Sequence, residues 1–94
     1  SNPPALLVLR DGRLCLLYGY RARPCGIRAR LSPDGGRSWS GEIVLRDDGG
    51  DWDLGYVRAR LNAAGQVVAT YYYNTDPAAE RFIAASIWDA EREG

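Results

Sequence analysis

The sequence predicts an all-β protein made of antiparallel four-stranded units of the kind that form β-propeller blades. Three observations predict this class. Short apolar or alternating segments are separated by turns rich in glycine, aspartate and asparagine. The apolar pattern is that of strands and not of helices. The second half of the chain repeats the first with a period of about fifty residues, which is typical of propeller repeats. We therefore expect one partial propeller domain over residues 1–94, with about 1.75 blades.

The first predicted blade covers about residues 5–46. Its strands are expected at 5–10, 13–20, 27–32 and 42–46, with an Asp-Gly turn between the first two. In the third of these strands Ile27, Ala29 and Leu31 alternate with polar residues. This alternation indicates a strand with one buried and one solvated face.

The second predicted blade is incomplete and covers about residues 56–88. Its strands are expected at 56–61, 66–73 and 81–88, and the polar tail at 89–94 is too short to form a stable isolated helix. A shift of 52 residues aligns the first two strands of the blades, and a loop about four residues longer in the second copy aligns the third. A fourth strand is missing from this blade.

Composition excludes several classes of function. Twelve basic and twelve acidic residues cancel, and every basic residue is arginine, so the chain lacks the basic excess of a non-specific nucleic-acid binder. The absence of histidine excludes Ser-His-Asp and Cys-His catalysis and histidine metal sites from this chain. Cys15 and Cys25 are too few for a structural zinc site, and whether they pair stays open. No apolar run approaches the ~20 residues that span a membrane. We expect no cofactor, nucleic-acid or membrane partner.

One short motif is the most specific feature of the sequence. Residues 32–39 read Ser-Pro-Asp-Gly-Gly-Arg-Ser-Trp, and the motif positions are Ser32, Asp34, Gly36, Ser38 and Trp39. This spacing resembles the Asp box of bacterial neuraminidase repeats, Ser-x-Asp-x-Gly-x-Thr-Trp, with serine in place of threonine. It lies between the third and fourth predicted strands, as in that family. The chain thus resembles two successive blades of a sialidase-superfamily protein, about a third of a six-bladed propeller.

The motif residues also have a local physical role. Ser32 and Asp34 are able to hydrogen-bond the turn backbone, and the two glycines permit positive φ. Trp39 can pack onto neighbouring apolar strands and anchor the turn. We therefore expect the motif to be structural and Asp34 not to be catalytic.

Strand direction divides the loops between two edges of the predicted blades. The Asp box shares its edge with the one-to-two turns, and the opposite edge carries loops 20–26, 47–56 and 74–81. The resemblance implies that a substrate pocket lies at this opposite edge. The candidate substrate-binding residues there are Arg21, Arg23, Arg58, Arg81 and Trp52, and the candidate catalytic pair is Asp53 and Tyr56. The alternative for that pair is that both cap the loop and pack the wall of the channel.

The resemblance implies an exo-sialidase-type glycoside hydrolase as parent, in a secreted or periplasmic location. Such enzymes clamp a carboxylate with arginines and use an acid and a tyrosine nucleophile. The chain departs from that pattern, because no acid lies between Arg23 and Ser32 and the family's opening Arg-Ile-Pro element is missing. We therefore expect the isolated chain to be inactive. A non-catalytic glycan-binding or protein-interaction propeller and a purely structural segment are the alternatives.

The remaining expectations concern metals, tyrosines and assembly. Asp51-x-Asp53-x-Gly55 faintly resembles a calcium loop but lacks the later ligands, so no metal is predicted. Three consecutive tyrosines at 71–73 cannot share one face of a strand. Blade faces and open edges that lack neighbours favour a homo-oligomer. Three copies would close a six-bladed ring, with the missing strand supplied by the tail or by another chain's terminus.

Overall fold

A computed structural model describes residues 3–76 and 80–93, which form seven β-strands and one short 3-10 helix at Ala90–Arg92. The strands are β1 (Ala5–Val8), β2 (Leu14–Tyr20), β3 (Cys25–Ser32), β4 (Ile43–Gly49), β5 (Gly55–Leu61), β6 (Val67–Tyr73) and β7 (Phe82–Trp88). The first sheet has the order β1-β2-β3-β4 and the second β5-β6-β7, with all neighbours antiparallel. The all-β class and the division into four and three strands are confirmed. No helix in the described part of the chain is long and apolar enough to cross a bilayer.

Strand boundaries differ from the predictions by at most three residues. β1 ends at Val8, before residue 10, because Leu9 closes a turn by donating its N–H to the carbonyl of Arg13. β4 continues to Gly49, beyond residue 46, because Gly49 pairs with Cys25 across a bulge. Backbone hydrogen bonds in turns and bulges of this kind leave little trace in an alternating pattern.

The core lies between the two sheets. Both sheets contribute buried side chains to it. The first sheet contributes Cys15, Leu17, Ile27, Ala29 and Leu31, and the second contributes Val67, Ala69, Tyr71 and Tyr73. Both cysteines are free and buried, so they do not pair. Burial raises the pKa of the Cys15 thiol to about 12, which keeps it protonated as an apolar core residue. The outer faces of both sheets carry exposed aliphatic side chains.

The tail does not supply a fourth strand to the second sheet. Arg13 donates hydrogen bonds to the carbonyl oxygens of Ala90 (3.4 Å), Glu91 (3.2 Å) and Glu93 (2.8 Å). Ala90 is fully buried, and the 3-10 turn therefore docks on the first sheet instead of extending beside β7. The expectation that the tail fills the missing strand is wrong for residues 89–93, and Gly94 lies outside the described residues.

The hydrogen-bonding register corrects the repeat offset from 52 to 53 residues. Gly12 donates to the carbonyl of Leu9 in the first sheet, and Gly65 donates to the carbonyl of Asn62 in the second, 53 positions later. The strand pairs agree, because Ala5 lies opposite Leu17 and Arg58 lies opposite Thr70. The shift of 52 expected from the sequence is therefore one residue short.

The burial of equivalent positions shows which faces of the two sheets meet. Successive residues of a strand point to opposite faces, so the correct one-residue register is needed for this comparison. The buried residue Leu17 of the first sheet corresponds to the exposed residue Thr70 of the second. Conversely, buried Ala69 corresponds to Leu16, which points away from the core. The two sheets therefore pack head to tail, with unlike faces in contact.

Candidate functional site

The connections between strands lie at two opposite edges of the molecule. The loop edge is formed by the β2–β3 loop at 21–24, the crossover at 50–54 between the sheets, and the β6–β7 loop at 74–81, of which 77–79 lie outside the described residues. The turn edge is formed by turns 9–13, 33–42 and 62–66 and by the tail. The sequence-predicted candidate loops thus lie on one edge, and the Asp box lies on the other.

Buried Asn74 organises the crossover. Its Oδ1 accepts from the backbone N–H of Asp51 at 2.9 Å, and its Nδ2 donates to the carbonyl of Asp53 at 2.9 Å. Its own carbonyl accepts from the N–H of Gly50 at 3.0 Å. A Cβ on Gly50 would lie 2.6 Å from the Asn74 Oδ1, so only glycine fits this approach. The end of β6 therefore holds the crossover in one shape.

Asp53 is the centre of a polar network at this edge. The Tyr72 hydroxyl donates to its Oδ1 at 2.8 Å, and the Arg81 Nε donates to its Oδ2 at 2.9 Å. The Arg81 Nη2 also pairs with Asp51, at 3.0 Å from Oδ2. The hydrogen bonds from Tyr72 and then Arg81 hold the pKa of Asp53 below its usual 3.8. The carboxylate is therefore ionised at neutral pH, and two carboxylates surround the Arg81 guanidinium.

An exposed aromatic ring of the crossover and an arginine of the β2–β3 loop lie beside this network. The Trp52 side chain is 62 % exposed, and the Arg21 guanidinium lies 6.0 Å from the centre of its ring. The Arg21 Nη2 makes a 3.4 Å hydrogen bond to the carbonyl of Leu54, and its charge contributes to the lowered pKa of Asp53. The loop edge thus presents a flat ring and a cation side by side.

Tyr56 and Arg58 lie on the outer face of the second sheet. Tyr56 has left-handed backbone with φ 51° and is 61 % exposed, and its ring centre lies 5.2 Å from that of Tyr72. Arg58 is exposed and has no ion-pair partner in the described part of the chain. A shallow hollow of about 230 Å³ is lined by Tyr56, Arg58, Thr70, Tyr71, Tyr72 and Ile83.

The structure brings together some predicted residues and separates others. Asp53 and Arg81 are in contact, Arg21 lies beside Trp52, and Tyr56 contacts the Tyr72 ring. Arg23 is exposed at a cis peptide bond to Pro24 and contacts none of the other candidates through a described hydrogen bond or ion pair.

The sequence predictions do not include the roles of Tyr72 and Asn74. Tyr71 and Tyr73 are buried in the core, whereas Tyr72 points to the other face and reaches Asp53. The alternation of the three tyrosines provides a signal that selects Tyr72 once the core face is known. Asn74 gave no such signal, because its role depends on how the crossover folds.

At the turn edge every position of the Asp box takes part in the turn. The Ser32 Oγ donates to Asp34 at 2.9 Å and accepts from the N–H of Gly36 at 2.8 Å, while the Asp34 Oδ2 accepts from the Ser38 hydroxyl at 2.6 Å. Trp39, 36 % exposed, donates to the carbonyl of Gly36 at 3.1 Å. The hydroxyl of Ser38 is the main cause that lowers the pKa of Asp34. All these bonds serve the turn itself.

A larger hollow also lies at the turn edge, between the Asp box and the tail. It has about 480 Å³ and is lined by Arg13, Leu31, Pro33, Ser38, Trp39, Ser40, Ile43 and Glu93. Its one arginine is occupied by the tail carbonyls and by Asp11. The hollow therefore offers an apolar surface with few free polar groups.

A second polar cluster lies on the outer face of the first sheet. The Tyr18 hydroxyl donates to Glu42, whose other oxygen accepts from the Arg28 Nη1 at 3.0 Å. The Arg28 guanidinium lies 3.5 Å from the centre of the Tyr20 ring, and its Nε is buried without a hydrogen-bond partner. The Arg30 Nε donates to the Tyr18 hydroxyl at 3.3 Å.

No group of three or more acidic or cysteine side chains in the described ranges is placed to hold a metal ion. Asp51 and Asp53, the first positions of the calcium-like pattern, face Arg81 instead.

The chain is similar to a solved structure, that of a protein of unknown function from Dyadobacter fermentans DSM 18053. The sequence identity is 43% and the TM-score is 0.77. The alignment covers 92% of this chain and 24% of the other. The chain therefore spans about a quarter of the length of that protein. No family model matches, and no curated protein matches. The likeness bears on the fold and carries no function.

Proposed function

We propose that this chain is a segment of a sialidase-like, Asp-box β-propeller whose loop edge binds an anionic sugar. The observation that carries the binding proposal is the exposed Trp52 ring with the Arg21 guanidinium 6.0 Å from its centre. The strand order, the Asp box at the turn edge and the head-to-tail packing of the sheets support the propeller.

The crossover and the β2–β3 loop supply the contacts that an acidic sugar needs. The Trp52 ring offers a flat apolar surface for the C–H face of a sugar ring. Arg21 can donate two parallel hydrogen bonds to a carboxylate, since its described contacts are one long hydrogen bond and the ring. Ionised Asp53 is an acceptor for a sugar hydroxyl. The Asn74 and Arg81 contacts hold these groups in place before a ligand binds.

The same network favours binding over catalysis by the isolated chain. A general acid must carry a proton at working pH, and the hydrogen bonds to Asp53 lower its pKa. Arg81 is neutralised by Asp51 and Asp53, which leaves it little capacity to clamp a substrate carboxylate. We therefore expect no turnover without groups from other blades.

A glycoside hydrolase as parent is the second candidate, and one contact favours it. The Tyr72 hydroxyl donates directly to the Asp53 carboxylate at 2.8 Å. A carboxylate in this position accepts the phenolic proton and so activates a tyrosine as nucleophile. In this candidate Tyr72 is the nucleophile in place of Tyr56, the tyrosine of the predicted catalytic pair, and the general acid comes from a neighbouring blade.

The binding proposal is tested by titrating the chain with N-acetylneuraminic acid and with galactose, followed by NMR chemical shifts. We expect Arg21→Ala to weaken binding of the acid about tenfold, because a charged hydrogen bond contributes about 1.5–3 kcal/mol, and to leave galactose unchanged. Trp52→Ala should weaken both sugars. Arg37→Ala, an exposed arginine at the turn edge, is the control and should bind like the unmodified chain.

Three results would contradict the proposals. Equal affinity of the unmodified chain for the acid and the neutral sugar would exclude the carboxylate clamp at Arg21. Unchanged binding in Trp52→Ala would exclude the aromatic platform. Release of the fluorescent aglycone from a 4-methylumbelliferyl sialoside by the chain, lost in Tyr72→Phe, would show that it is a hydrolase by itself.

A further inference from the structure

We infer that copies of this chain associate head to tail, through the outer face of the first sheet of one copy and the outer face of the second sheet of the next. This inference concerns assembly, rests on strand register and exposure, and does not depend on the sugar site proposed above.

Both outer faces expose aliphatic side chains to solvent. On the first sheet Leu6 and Val8 are each 60 % exposed and Val44 is 49 % exposed. On the second sheet Ile83 is 77 % exposed and Ile87 is 65 % exposed. Clusters of exposed aliphatic side chains on one face are typical of surfaces that bind another protein.

The outer face of the second sheet corresponds to the buried face of the first. The strand pairing shows this correspondence. In the first sheet Gly19 lies opposite Ile27, and in the second sheet the equivalent residue Tyr72 lies opposite Ile83. In the same way, Cys15 lies opposite Leu31, and its equivalent Val68 lies opposite Ile87. The third-strand residues Ile83, Ala85 and Ile87 thus occupy the positions of Ile27, Ala29 and Leu31. Those three are at most 5 % exposed, because the second sheet covers them.

The outer face of the first sheet corresponds to the buried face of the second. Leu14, Leu16, Tyr18 and Tyr20 precede by 53 positions the buried residues Val67, Ala69, Tyr71 and Tyr73. The two tyrosine positions are identical in type. Each exposed face therefore occupies the place of one half of the interface that already exists inside the chain, with Arg58 and Thr70 on the second sheet where the first sheet has Ala5 and Leu17. The occupant that presents the missing half is a second copy of this chain.

Charge opposes contact between two copies of the outer face of the second sheet. The outer face of the second sheet carries Arg58 and Arg60, which have no described ion-pair partner. Two such faces in contact would oppose four arginines, whereas the first sheet offers Glu42 together with Arg28 and Arg30. The remaining excess of positive charge predicts that association strengthens with salt, which screens it.

Unlike faces give a heterologous contact that leaves one face free at each end of a dimer. Such contacts form closed rings when the rotation between copies closes, and filaments when it does not. Three copies bring six sheets together, the number expected from the sequence resemblance. A trimer is therefore the expected closed species.

Sedimentation velocity from about 5 to 500 µM tests the association. We expect the unmodified chain to sediment above monomer mass and to approach a trimer, more so at high salt. Leu6→Glu blocks the first face and Ile87→Glu the second, and each variant alone should be a monomer. Both residues are more than half exposed, so neither substitution removes a core contact. Circular dichroism and urea unfolding verify that the variants fold.

Mixing the two variants discriminates head-to-tail contact from every other mode. Leu6→Glu retains an intact second face and Ile87→Glu an intact first face, so an equimolar mixture should form a 1:1 dimer and nothing larger. Arg37→Glu, at the turn edge, is the control and should associate like the unmodified chain. A monomeric unmodified chain at all concentrations would overturn the inference. So would full association of either single variant, or a mixture that stays monomeric.

The sugar proposal is tested separately on Ile87→Glu. This variant retains Arg21 and Trp52 at the loop edge, so it should bind sugar as a monomer. Sugar binding without association of the unmodified chain would refute the assembly alone, and association without sugar binding would refute the binding site alone.

Discussion

At the scale of single residues, Ser32 illustrates how a small buried side chain determines a whole turn. Its hydroxyl is fully buried, donates to Asp34 and accepts from the N–H of Gly36. In Ser32→Ala the Gly36 N–H loses its acceptor, so we expect the free energy of unfolding to fall by about 1–3 kcal/mol. Urea unfolding measures this as a lower midpoint with an unchanged slope. Arg37→Ala in the same turn should change stability by less than about 0.5 kcal/mol, and equal effects of the two would contradict the role of Ser32.

At the scale of strands and loops, the sequence predicts the fold well and the site in part. Alternation and turn residues locate all seven strands, because the buried face leaves a period of two in the sequence. The offset between the two repeats is harder to predict. A gap inside a turn shifts the alignment of the strands by one residue, which assigns every side chain to the opposite face. The loop edge follows from strand direction, and so Arg21, Trp52 and Asp53 are predicted together. The contacts of Asn74 and Arg81 depend on the crossover conformation, which local patterns do not encode.

The crossover also makes stability depend on pH. The hydrogen bonds from Tyr72 and Arg81 lower the folded-state pKa of Asp53 below 3.8. Its ionised form therefore stabilises the fold fully above its unfolded pKa, and this contribution is lost as pH falls through the lowered value. We expect the stability difference between the unmodified chain and Asp53→Asn to be constant from pH 7 to about 5 and to shrink below about 4. Urea midpoints across this range measure it.

Asp47→Asn is the matched control for that titration. Asp47 is an exposed residue of β4 and forms no described ion pair, so Asp47→Asn removes a carboxylate without removing an ion pair. An equal pH-dependent difference for the two variants would contradict the role of the Asp53 contacts. A difference for Asp53→Asn that persists unchanged to pH 2 would show that its carboxylate does not act through charge.

At the scale of the whole molecule, one core between two sheets makes the sheets interdependent. The apolar face of the three-stranded sheet is covered only by the first sheet in the described structure, so neither sheet has a core of its own. Leu17 is fully buried at this interface, and Leu17→Ala should cost about 2–5 kcal/mol, a large part of the stability of a small domain. The measurement is made in the Ile87→Glu background, which excludes assembly. Tryptophan fluorescence and far-ultraviolet circular dichroism should report one coincident unfolding transition, and Leu17→Ala should shift its midpoint equally in both signals. Leu16→Ala, the neighbour on the other face, should cost less, and two separate transitions would show that the sheets fold independently.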